Sequence, residues 1–192
     1  MKDKKLQTKD LIMAGVFAVL YVALICILAS VTGMFIPVYL VLPLIAGVIL
    51  GPVYTLYISK VPKMGAVLIL SVLAGFVMSA SSIMVLVYVV ALGIIAQLIL
   101  SRTEYSEKGI RLSYLVFACA TEGPFLSLFF AREGFLNTCL QYYGEEYVAK
   151  IDAATPFWFL FVQIGLALIG GYIGGRIGVA MNAKHFKKAG IA

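Results

Sequence analysis

Between Asp10 and Lys60 the chain runs for 49 residues without a charged side chain. A bilayer core about 30 Å thick needs roughly 20 apolar residues per helical crossing. The run therefore fits two helices and a short turn, and Thr32-Gly33 followed by Pro37 supplies the turn chemistry. The expected helices are 11–30 and 39–59, with Gly51-Pro52 kinking the second by removing a backbone donor. A second uncharged run, 64–101, holds 38 residues. It reads as a helical hairpin, 64–78 and 83–100, turning at Ser79, Ser81 and Ser82. Two further spans follow at 112–130 and 156–177, the last opened by Pro156, a favoured first-turn residue. The polar stretch between them, 132–155, carries an amphipathic helix over 136–151 suited to the membrane surface.

Composition agrees. Apolar residues are 62% of the chain and charged residues 12%, against about 45–50% and about 25% in soluble domains. The expected fold is a single all-α domain over 1–192, a bundle of six transmembrane helices. The basic start, 1–9, is similar to the first part of a leader peptide. No small-residue cleavage site follows, so the segment from Leu11 is read as a retained first span.

Placing both termini in the cytoplasm puts thirteen of the fifteen lysines and arginines on the inner side, leaving only Arg132 and Lys150 outside. That is the positive-inside bias of a multi-pass protein of the cell membrane. The net charge of +6 then reflects topology; with no single basic face, it does not point to nucleic acid.

No phosphate-cradling GxxxxGK[ST], no HExxH, no GxSxG and no Cys/His cluster occurs in the sequence. The chain is accordingly not expected to be an enzyme, to hold a cofactor or metal, or to hydrolyse ATP itself. Cys26 and Cys119 read as packing thiols, Cys139 as a loop thiol, and the lone histidine, His185, as a solvated residue of the basic tail.

Glu122 is the one acid deep within an expected span. A carboxyl there costs at least about 2.5–3.5 kcal/mol on insertion scales, so it should face a polar cavity or a partner. It reads either as a ligand-binding or proton-carrying group, or as an acid bonded to a neighbouring helix. Gly123-Pro124 frees backbone carbonyls beside it, which suits a cavity wall. Tyr88, Trp158 and Gln163 fall at outer depth and join Glu122 as candidate substrate-binding residues. Tyr88 also suits plain packing, and Trp158 suits an interfacial anchor. Small residues allow close helix approach at Ala14 and Ala18, and at Gly170/Gly174 and Gly171/Gly175.

The run from Lys9-Asp10-Leu11, through Gly51-Pro52-Val53-Tyr54, to Lys60-Val61-Pro62-Lys63-Met64-Gly65 resembles the substrate-binding (S) component of energy-coupling factor (ECF) transporters, closest to the MptD-like or Trep_Strep group. The resemblance implies a subunit that binds a small vitamin-like micronutrient on the outer face. It also implies delivery inward with a transmembrane T component and two ATPase subunits, docked through the AxxxA pair Ala14/Ala18, and a gating role for the loop 31–38. The alternative is a small proton- or ion-coupled carrier or channel centred on Glu122. An intramembrane enzyme is disfavoured, because no second acid, histidine or metal set accompanies that residue.

Overall fold

The computed structural model of the chain describes residues 6–79 and 82–186, apart from the side chains of Pro124, His185 and Phe186. The expectations placed on Ser81 and on the His185 side chain lie outside the described residues. Ten α-helices occur among the described residues: α1 (Thr8–Gly33), α2 (Ile36–Tyr39), α3 (Leu42–Lys60), α4 (Ala66–Met78), α5 (Ile83–Arg102), α6 (Glu107–Ala118), α7 (Gly123–Phe130), α8 (Arg132–Tyr143), α9 (Glu145–Ala154) and α10 (Phe159–Met181). The protein is all-helical among those residues. Helices α1, α3 and α5, and the helical run Phe159–Lys184, are long and apolar enough to cross a membrane. Helix α4 is equally apolar but has only 13 residues.

Three local features depart from the sequence expectations. Thr32-Gly33 does not end the first helix early; it forms the last residues of α1, and the reversal is made by α2 with Pro37 in its first turn. The segment 112–130 is not one helix. It runs as α6, a 3-10 turn over Cys119–Glu122, and α7, whose first turn contains Pro124. A proline lacks the N–H that would continue the helical ladder, so the break follows from its position. The polar segment 136–151 is two helices, α8 and α9, separated at Gly144, whose φ of 82° is a glycine conformation.

A seam of glycines joins α10 to α3. A Cβ on Gly47 would lie 2.8 Å from the Gly170 backbone, and one on Gly170 would lie 2.5 Å from the Leu44 carbonyl oxygen. Gly51 and Gly174 are closer still, the first against the Gly174 carbonyl and the second against that of Gly47. Gly171 and Gly175 point elsewhere, toward Ala118 and Tyr114 of α6. The two interleaved small-residue pairs of α10 thus serve two neighbours, and both are used inside the chain.

Several polar groups of the interior find partners within the chain, as burial at this depth favours. Tyr54 and Ser113 hydroxyls lie 2.5 Å apart, and Ser113 donates to the Ala96 carbonyl. Tyr57 donates to the Ala66 carbonyl at 2.7 Å and Tyr114 to that of Gly47 at 2.6 Å. At the basic end of the bundle, the Asp10 carboxylate accepts from Lys63 Nζ at 2.6 Å and from the Gln7 backbone N–H at 2.8 Å. Nearby, Gln97 accepts from the Gly65 and Val67 N–H groups and donates to the Tyr105 hydroxyl. The turn 61–65 is therefore a clamp: Lys63 holds α1, and Gly65, at φ 94°, starts α4 under a side chain from α5.

The pair on α1 that the resemblance assigns to docking lies inside the bundle. Ala14 and Ala18 are buried, on the same inward stripe as Tyr21 and Ile25. The helix turns this stripe toward α3 and α4, so these two alanines form no outward surface. The outward face of that part of α1 is instead Ile12, Val16 and Val19.

Candidate functional site

Glu122 closes the 3-10 turn between α6 and α7, where the break takes it off a regular helical face. Its side chain is fully buried, and neither carboxyl oxygen has a hydrogen-bond partner among the described residues. The broken turn leaves carbonyls to be satisfied locally. Thr121 donates to the Ala118 carbonyl at 2.7 Å, and Tyr88 reaches across from α5 to donate to that of Cys119 at 3.1 Å. Tyr88 is thus committed to bracing the break, while its ring lines the same space as Glu122.

That space is a groove of about 510 Å³ between α5, α7 and α10. Met84, Val87 and Tyr88 come from α5, Leu126 and Phe130 from α7, and Leu160 and Ile164 from α10. The walls are almost wholly apolar, with Glu122 the sole carboxyl among the lining residues. Gln163 lies on α10 between two of the lining residues; it is fully buried, and both atoms of its amide lack a partner. A buried amide or carboxyl without a partner costs on the order of 1–3 kcal/mol, more if charged. Two such groups on adjoining elements are the strongest polar signal in the interior. Trp158 does not join them. It is 62% exposed at the start of α10, edge-on to Phe159 at 6.0 Å, a position that fits its interfacial-anchor reading.

The structure adds a second concavity. At the end of the bundle opposite the Asp10–Lys63 clamp, Tyr39, Phe135, Cys139, Tyr142, Tyr143 and Tyr147 line a pocket of about 320 Å³ under the C-terminus of α1. Tyr147 donates to the Gly33 carbonyl at 3.0 Å and stacks on Tyr143 at 4.5 Å. Burial pushes the Tyr147 phenol up to about 12, with Cys139 and Tyr143 adding to the shift. Tyr39 packs on Phe125 at 4.7 Å, which ties this pocket to the helix that follows Glu122. Arg132 ties the start of α8 to the end of α9, so the two helices form a cap over this pocket. Its guanidinium donates to the Asp152 carboxylate and carbonyl, both at 2.8 Å, and to the Thr155 carbonyl at 2.9 Å. The one sequence hint of this pocket is the density of tyrosines over 142–147, since its walls come from four separate helices.

Among the described residues no group of three or more His, Cys, Asp or Glu side chains is placed to hold a metal ion. The three cysteines are free.

No curated protein and no solved structure matches the chain. A family model described as a hypothetical bacterial integral membrane protein (Trep_Strep) matches residues 8–188. This match spans every described helix, and with it the chain belongs to the Trep_Strep family of bacterial integral membrane proteins.

Proposed function

We propose that this membrane protein is the substrate-binding subunit of an ECF-type importer. In this reading it crosses the cell membrane six times, through α1, α3, α4, α5, the broken α6–α7 segment and α10, with both ends in the cytoplasm. The observation that carries the reading is the pair of buried, unpartnered groups, Glu122 and Gln163, beside a groove at a helix break. Helix breaks inside a membrane bundle are tolerated where they line a cavity, and they are where transporters hold cargo. A carboxyl and an amide, flanked by apolar and aromatic walls, suit a small molecule with hydrogen-bond donors on an apolar or ring-shaped body. The α8–α9 cap and the aromatic pocket beneath it stand on the outer side, over the loop expected to gate entry.

A subunit of this kind takes its energy from ATPases in trans through a T component. With Ala14 and Ala18 buried, the face offered to that partner is Ile12, Val16 and Val19. The test is purification from the native membrane with native mass spectrometry. A T component and two ATPase subunits should copurify with a small retained molecule, and Val16→Trp with Val19→Trp should release the partners while the fold survives. If nothing copurifies and uptake proceeds without an ATPase, the reading is lost. The same unpartnered Glu122 favours one second reading, a proton- or ion-coupled carrier. That reading requires solute movement by the reconstituted chain alone, abolished in Glu122→Gln.

A further inference from the structure

At the basic end of the bundle, between α6 and α10, Lys108, Arg111 and Arg176 line one pocket of about 360 Å³. The remaining lining residues are Leu112, Leu115 and Tyr172, and no acid is among them. Arg176 is held in place: its guanidinium sits 5.5 Å from the Tyr172 ring centroid and donates to the phenol oxygen at 2.8 Å. A guanidinium held through one N–H keeps the rest of its planar fork for an anion. Lys108, Arg111 and Arg176 are all exposed, and none of the three cations enters an ion pair among the described residues.

Topology alone accounts for cations near this end of a membrane bundle, but it spreads them among the loops. Here three come from two helices distant in sequence and share one cleft, where like charges repel unless an anion lies among them. The chemistry also changes with depth. Leu115 lies one helical turn inward of Arg111, and Tyr172 one turn inward of Arg176, so an apolar wall begins where the cationic mouth ends. Leu112 and Tyr172 are exposed, at 41% and 56%. A free phosphate has no use for such a wall, whereas a phospholipid does, because its acyl chains continue directly below its phosphate.

We infer that this pocket binds the phosphate headgroup of an anionic phospholipid, with the acyl chains lying along Leu112, Leu115 and Tyr172. Basic pockets between helices at the cytoplasmic interface are built for such headgroups, and bidentate guanidinium contacts add geometric preference. The inference needs only that the chain is a membrane protein, and stands apart from the importer reading.

The experiment is native mass spectrometry of the purified full chain in detergent, titrated with phosphatidylglycerol and phosphatidylcholine. The wild type should retain phosphatidylglycerol in preference to phosphatidylcholine. Each cation near the surface is worth about fivefold in affinity, so Lys108→Gln/Arg111→Gln/Arg176→Gln should weaken retention on the order of a hundredfold. The charge-matched control Lys9→Gln/Lys60→Gln/Arg102→Gln should stay within about twofold of wild type. Should the triple variant not accumulate, Arg111→Gln alone should weaken retention about fivefold. The inference is overturned if the control loses as much as the pocket variant, or if the pocket variant retains the lipid. Equal displacement of phosphatidylglycerol by inorganic phosphate at the same concentration would also overturn it, by assigning the site to a free anion.

Discussion

Four buried side chains keep a polar atom without a partner among the described residues, Tyr21, Glu122, Gln163 and Asn182, and of these Glu122 and Gln163 adjoin the groove. If they face a ligand, removing one donor or acceptor weakens binding through the unpaired group left on the other side, by about 1–3 kcal/mol. Gln163→Leu is therefore expected to cut ligand affinity roughly tenfold or more while raising thermal stability in detergent. Loss of a plain structural amide would instead lower stability and leave affinity unchanged. Gln97 is the opposite case, because its carbonyl serves two backbone donors at the start of α4. Gln97→Leu should cost about 1–3 kcal/mol in detergent unfolding and leave ligand binding intact. Asp10 and Lys63 test the same logic with charge. Each single neutralisation should destabilise more than the Asp10→Asn/Lys63→Met pair, since a lone, largely buried charge is worse than none. A double-mutant cycle on thermal unfolding reads the difference.

At the scale of elements, the glycine seam makes the sharpest expectation. Gly174→Leu drives a side chain into the α3 backbone and should cost at least about 1–3 kcal/mol. Gly165→Leu, on the same helix with nothing within 4 Å of its Cβ position, should cost little; paired melting curves decide. The seam was half legible in the sequence: small residues four apart announce close approach, yet not which helix approaches. That same silence explains Ala14 and Ala18, whose spacing was right and whose partner was inside the chain. The long helices were readable from uncharged runs alone, because lipid imposes that pattern on every span. Glu122 stood out for the same reason, as a rare acid in such a run. The Asp10–Lys63 and Gln97 contacts were not readable. They join positions tens of residues apart, and no local periodicity marks them. The aromatic pocket escaped for a like reason, since Tyr39 and Tyr147 meet through four helices.

For the whole molecule, the expected orientation has a direct check. In a chain freed of Cys26, Cys119 and Cys139, Glu146→Cys should react with an impermeant maleimide on intact cells. Glu104→Cys should react only after the membrane is opened. Both side chains are exposed, so silence at one of them reports the membrane and not the fold; the reverse pattern would invert the topology.

The seam between α3 and α10 also limits how the molecule can move. Two backbones that touch carry no intervening side chains to change rotamer, so they have nothing to slide on. Those two helices behave as a fixed keel. Glu122 hangs from the broken segment beside it, against α5. In the importer reading, whatever admits a ligand to that carboxyl swings on the α5 and α7 side, and the keel supplies the surface it swings against.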